Sequence, residues 1–123
     1  GNPVFISGKG PLKKDGNYIL GKLGENLTLE QGYEAARLTA INLISTLKAS
    51  IGDLSKVKRI VRVTGMVNAT SDFTDHPKVV NGCSDLLVEV FGDNGKHTRA
   101  AVGMNSLPLN IAVEIDMVVE VFN

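Results

Sequence analysis

Arg99 and Glu114 are the residues through which this chain is best read. Arg99 opens a short apolar run that continues to Met104. Glu114 lies inside a stretch that alternates cleanly: Ile111, Val113, Ile115, Met117, Val119 and Val121 point one way, and Ala112, Glu114, Asp116, Val118, Glu120 and Phe122 the other. Period two over this length predicts a long strand with one face on a core. A guanidinium at the start of one strand and a carboxylate inside the next are suited to converge on one small ligand. The residues alone leave two structural alternatives. Arg99 also reads as a strand-end arginine paired with a surface carboxylate. Glu114 sits among apolar neighbours, where an acid is paired, exposed at an edge or functional, and an interface ion pair answers as well as chemistry does. Asp116 and Glu120, on the same face, read as interface or solvent residues. Leu107-Pro108, between the two runs, suits a connection better than a central strand.

The rest of the chain must position that pair. Val4 to Ile6 reads as a strand running into the loop Ser7-Gly8-Lys9-Gly10-Pro11, and Asp15-Gly16 is a turn from which Tyr18 to Leu20 returns as a short strand. Thr28, with Gln31 three residues on, forms a capping box. Ala36, Ala40, Leu43, Ile44, Leu47 and Ile51 then follow at helical spacing, and Gly52 is a stop. Val57 to Val67 is a β-branched strand with apolar residues on both parities: Val61, Val63 and Val67 on one, Ile60 and Met66 on the other. Helices on one side would leave the second set wet, which points to a subunit interface. Pro77 suits the first turn of a second helix with the stripe Val80, Cys83, Leu87 and Val90, ended by Gly92. The expected order is strand, strand, helix, strand, helix, strand, strand. An α+β domain with two helices on one face of a sheet follows.

A chain of 123 residues is a single domain, residues 1–123, large enough to bury a core without staples. Thirteen basic and 13 acidic side chains leave no net field for nucleic acid or a membrane surface. With 5% aromatic residues there is little of the stacking footprint that RNA binding leaves. Nucleic acid is therefore not an expected partner, nor is a membrane, since no apolar run approaches the roughly 20 residues of a span. The single cysteine, Cys83, suits a reducing compartment and reads as a small buried helix residue. A cytoplasmic location is expected. The chain opens on Gly1 without a methionine, as expected where upstream residues have been removed or left out. His76 and His97 read as single loop histidines without metal-ligand spacing. Ser7-Gly8-Lys9-Gly10 lacks the spacing and following helix of a phosphate loop.

Taken in order, Ser7-Gly8 with Gly10-Pro11, Val80-Asn81, Arg99-Ala100-Ala101-Val102, Leu107-Pro108 and Val113-Glu114-Ile115 resemble the YjgF/Rid family. These are the reactive intermediate deaminases, long labelled L-PSP endoribonucleases. The strings VNGCSDLLVEVFG and RAAVGMNSLPLN are similar to a less characterised branch. The resemblance implies a chorismate-mutase-like fold of the Bacillus type, assembled as a homotrimer with ligand clefts between neighbouring subunits. It implies hydrolysis of reactive enamines and imines, formed from amino acids by pyridoxal-phosphate enzymes, to a 2-keto acid and ammonia, with no metal or cofactor. Carried over by position, Arg99 matches the arginine that binds the substrate carboxylate, and Glu114 the glutamate that handles the catalytic water. Ala101 stands where many members have a cysteine whose backbone contacts the ligand, and Asn81 and Gly8 match positions lining the cleft.

The chemistry is coherent on physical grounds. A 2-imino acid presents a planar carboxylate that an arginine fork meets bidentately. The imine needs water at its carbon and a proton at its nitrogen, which one carboxyl group can relay. The chain departs from the family pattern in Ala101 for the frequent cysteine, in Lys9 for a frequent glutamine, and in Ser84, Leu87 and Val88 where better-known members carry aromatic residues. A trimer that binds a small carboxylate without turning it over is the alternative reading, ahead of an endoribonuclease.

Overall fold

The computed structural model describes residues 1–123. Four strands and two helices make up the fold: β1 (Asn2–Lys9), α1 (Leu29–Ile51), β2 (Val57–Asn68), α2 (His76–Phe91), β3 (Thr98–Met104) and β4 (Val113–Val121). The strands form one mixed sheet in the order β1-β4-β2-β3. β4 is antiparallel to both its neighbours, and β2 and β3 are parallel, joined by α2 as the crossover. Both helices lie on the same face, α1 over β4 and β1 and α2 over β2 and β3. This is the expected α+β, chorismate-mutase-like architecture. No helix is long and apolar enough to cross a membrane.

The capping box forms at the start of α1: the Thr28 hydroxyl accepts from the Gln31 amide (3.1 Å), and the Thr28 amide donates to the Gln31 side chain (2.8 Å). Gly52 closes that helix at φ 91°, a conformation that glycine adopts freely. The alternation of β4 resolves as read, with Val113, Ile115, Met117 and Val119 in the core beneath Leu43, Leu47, Val80 and Leu87. Two glycines let the helices close down. A Cβ on Gly65 would meet the Val80 side chain at 2.6 Å, and one on Gly82 would overlap the Tyr33 carbonyl oxygen of α1. Around that crossing the Tyr33 hydroxyl donates to Asp85 (2.7 Å), and Arg37 pairs with Glu89 (3.1 Å).

Two expectations are corrected. Tyr18 to Leu20 is not a strand of the sheet: it makes only isolated bridges, Leu12 to Tyr18 and Leu20 to Ile111. The connection from Gly10 to Thr28 is instead moored from outside. Asn68, fully buried at the end of β2, directs its side-chain amide nitrogen at the carbonyls of Gly21 (3.0 Å) and Ile111 (3.1 Å) and at Asn110 Oδ1 (3.0 Å). Its backbone carbonyl accepts from Leu23 (2.8 Å). The second correction concerns β2. Its register against β4 slips between Ile60 and Arg62, so Ile60 faces the core beside Val63 rather than opposite to it. A bulge adds one residue to one strand and thereby switches parity, which period-two counting cannot foresee. The face of the sheet turned away from the helices remains open. It presents Phe5, 76% exposed, Val102, 42% exposed, and half-buried Met66 and Val118.

Candidate functional site

Arg99 stands opposite Val63 in the parallel β2–β3 pair, so its side chain leaves the sheet on the helix side. There α2 meets it with Asn81 and Ser84, three positions apart on one stripe. Arg99 Nη1 donates to Asn81 Oδ1 (2.8 Å) and to Ser84 Oγ (3.2 Å). Both acceptors are neutral, and no carboxylate forms an ion pair with this half-buried guanidinium. Of its five N–H groups the two on Nη1 are engaged. Those on Nε and Nη2 are unclaimed, and they form one of the planar edges that take a carboxylate side-on. Ala101 follows on the same side of β3, opposite Gly65. Arg99, Asn81 and Ala101 therefore lie on the helix side of the edge strand, the first two joined directly.

Glu114 is elsewhere. It pairs with Met66 across the β2–β4 ladder and points to the open face, where it makes no hydrogen bond or ion pair. Gly8 lies beside it: a break in the β1–β4 register after Ile6 brings the Gly8 backbone so close that a Cβ would overlap the Glu114 carboxylate. The five predicted residues thus fall into two groups, Arg99–Asn81–Ala101 on the helix face and Gly8–Glu114 on the open face. Within one chain the sheet itself separates them. A separate cavity of about 300 Å³ lies farther along β3, lined by Thr70, Phe73, His76, Gly103 and Asn105 among others, and contains none of the five.

A family model described as "YjgF/chorismate_mutase-like, putative endoribonuclease" matches residues 1–121. The chain belongs to the YjgF family. Protein TCP17 of Trypanosoma cruzi is 42% identical over 124 residues, covering 100% of this chain and 78% of its own. The crystal structure of Atu1372 from Agrobacterium tumefaciens, described as of unknown function, superposes with a TM-score of 0.95 at 40% identity, covering 98% of this chain and 78% of that one. An endoribonuclease-labelled protein from Shewanella oneidensis matches with a TM-score of 0.94 at 36% identity, over 98% of this chain and 80% of its own.

The arginine of this YjgF-family chain has a neighbour that sequence reading assigned to a loop. His97 Nδ1 is 2.6 Å from the Gly95 carbonyl and Nε2 is 2.9 Å from Ser84 Oγ. A carbonyl can only accept, so Nδ1 carries the proton and, in the neutral ring, Nε2 accepts from the Ser84 hydroxyl. The serine oxygen in turn accepts from Arg99. The signal for these residues was present in the spacing: Ser84 is three residues beyond Asn81 on a helix, and His97 is two before Arg99 entering a strand. Cys83, on the same turn of α2, takes no part. It is fully buried, and burial pushes its thiol up to about 12 despite the opposing pull of Arg99.

Proposed function

We propose that this YjgF-family protein hydrolyses reactive 2-imino acids and their enamine tautomers to 2-keto acids and ammonia, in a crevice completed by a second copy of the chain. The carrying observation is a half-buried Arg99 that has neutral partners on Nη1 and a vacant Nε/Nη2 edge. A desolvated cation without an ion-pair partner gains from an acidic ligand, and the fork geometry selects a planar carboxylate. Asn81 and Ser84 fix the fork in place, so binding does not have to order it. With the carboxylate held, the imine carbon is presented to water.

Glu114 carries the proton in this reading. Its carboxylate takes a proton from the attacking water and returns it to the nitrogen of the resulting carbinolamine. Because it lies on the other face of the sheet from Arg99, the Glu114 that serves a given ligand belongs to a neighbouring copy, as does the Gly8 backbone beside it. A homotrimer, with the exposed apolar residues of the open face buried between subunits, satisfies both requirements. The substrate is already activated, so orientation and proton transfer suffice. Cytoplasmic residence belongs to the same reading, since the free, buried thiol suits a reducing compartment.

The test generates 2-aminoacrylate with a dehydratase and follows keto-acid release. The wild-type protein is expected to accelerate release over the spontaneous reaction. Glu114→Gln is expected to lower kcat about 10²-fold while still binding 2-oxobutanoate, because it removes a proton carrier and not the anchor. A wild-type protein that binds 2-oxobutanoate through Arg99 but accelerates nothing would favour the non-catalytic carboxylate binder.

A further inference from the structure

At the edge of the sheet opposite to Arg99, the register break in β1 changes the direction of one lysine. In an unbroken strand Lys9 would follow Phe5 and Ser7 to the open face. Three steps along β1, from Ile6 to Lys9, instead match two along β4, from Met117 to Ile115. Lys9 thereby takes a place opposite a core residue, as Ile6 does, and its side chain leaves the sheet on the helix side. Bulges re-aim side chains in this way beside functional sites.

On that side Lys9 lines a cavity of about 270 Å³, bounded by the end of β1, one face of α1 and the turn that runs from Pro11 back to Ile19. Asn42, Ser45 and Thr46 line it from α1, three and four positions apart on a single stripe. Tyr18 lines it from the turn, its ring packed on Gly10, where a Cβ would come 3.1 Å from the ring. The wall is held in place. Asn42 Nδ2 donates to the carbonyls of Gly10 (3.1 Å) and Leu12 (3.1 Å), and the Ile19 amide donates to Pro11 (3.0 Å). The half-buried side chains of Lys9 and Tyr18 form no hydrogen bond or ion pair within the chain, and the hydroxyls of Ser45 and Thr46 form none either. No carboxylate lines the cavity. In the adjoining turn Lys13 and Lys14 are exposed, and Asp15 is engaged by the Asn17 amide (2.9 Å).

We propose that this cavity binds the phosphate group of a small molecule, with Lys9 Nζ supplying the charge and the hydroxyls of Tyr18, Ser45 and Thr46 the remaining hydrogen bonds. A half-buried ammonium without a counter-ion gains from an anion brought to it. Lysine is a point charge and not a fork, so it does not select a planar carboxylate as Arg99 does. A tetrahedral anion accepts from donors that arrive from several directions, here a strand, a turn and a helix. Asn42 has its nitrogen engaged by the two carbonyls and keeps an oxygen to accept from a hydroxyl on the molecule that bears the phosphate. The site is built from side chains, and so needs none of the phosphate-loop spacing that Ser7-Gly8-Lys9-Gly10 lacks. Within one chain β1 and β3 are opposite edges of the sheet, so the phosphate and a carboxylate on Arg99 do not overlap.

In isothermal titration the full chain is expected to bind glycerol 3-phosphate saturably. Lys9→Gln should weaken that binding about 30-fold, by removing a charge-assisted hydrogen bond, and Tyr18→Phe, which deletes one oxygen, about fivefold. Lys13→Gln removes the same charge from the neighbouring turn and should change the affinity by less than about twofold, as should Arg99→Ala. Lys9→Gln takes nothing from the core, so its urea midpoint should match that of the wild type. Equal losses in Lys9→Gln and Lys13→Gln would overturn the site in favour of a diffuse basic surface. A loss in Arg99→Ala with none in Lys9→Gln would overturn it by moving the phosphate to the carboxylate site. Binding of neither glycerol 3-phosphate nor inorganic phosphate at millimolar concentrations would overturn it outright. Tighter binding of the ester than of inorganic phosphate upholds the site with an ester as its ligand, and the reverse order upholds it with free phosphate.

Discussion

Replacing Arg99 with alanine is expected to cost about 10³-fold in the efficiency of keto-acid release, and a similar factor in affinity for 2-oxobutanoate. Two charge-assisted hydrogen bonds from the Nε/Nη2 edge, at about 2 kcal/mol each, sum to about 4 kcal/mol, and each 1.4 kcal/mol is about tenfold. Isothermal titration gives the affinity and the coupled dehydratase assay the efficiency. Lysine at this position keeps the charge but offers a point in place of a fork, so Arg99→Lys should recover only a part of the loss. An alanine variant that binds as well as wild type would remove the arginine from the site.

The same variant tests whether the site is divided between copies. Neither Arg99→Ala nor Glu114→Gln should turn over appreciably alone. Co-assembled in equal amounts, they should regain about a quarter of the wild-type sites, because in a ring of heterologous contacts one junction in four joins an intact arginine to an intact glutamate. If both residues came from one chain, the mixture would stay at the level of the separate variants. Such an outcome contradicts the placement of Arg99 and Glu114 on opposite faces of the sheet.

Gly82→Ala is expected to destabilise the fold by about 3 kcal/mol, measured from the urea midpoint at unchanged slope. In an exposed helix the same change gains up to about 1 kcal/mol, since alanine is the better helix former. Here the added methyl group would overlap the Tyr33 carbonyl oxygen across the α1–α2 crossing. Backbone cannot swing aside as a side-chain tip can, so the helices must separate. Parting them loosens Tyr33–Asp85 and Arg37–Glu89, and lifts α2, with Asn81 and Ser84, from Arg99. A stabilised Gly82→Ala protein would show that the crossing has room to spare.

Much of this fold is legible in the residues because local signals and burial agree. The Thr28–Gln31 box, the Gly52 and Gly92 stops and the period-two pattern of β4 each depend on a few neighbouring positions, and each appears as read. Where the outcome depends on pairing, the residues are silent. Ile60 changes sides because of a slip in its register with β4, and Tyr18 to Leu20 makes isolated bridges to Leu12 and Ile111 instead of joining an edge of the sheet. The site was legible as a set of residues and not as a geometry. That Arg99 faces the helices follows from the parallel pairing with β2, whereas Glu114 faces away because Val113 and Ile115 take the core. Ser84 and His97 escaped because a histidine bound to a serine 13 positions away is visible only after α2 has folded back on β3.

The mooring at Asn68 has its own consequence. The connection between β1 and α1 contains no ladder to protect its amides, yet those of Gly21 and Leu23 are fixed to the carbonyls of Asn110 and Asn68, and the Leu23 carbonyl accepts from the Thr70 amide. One buried carboxamide thereby ties it to the end of β2 and the start of β4. The connection accordingly does not fray as an independent loop. Its tethered amides, those of Gly21 and Leu23, should exchange with solvent at the pace of the central strands, so that to a deuteron this end of the connection behaves as part of the same cooperative unit as the sheet.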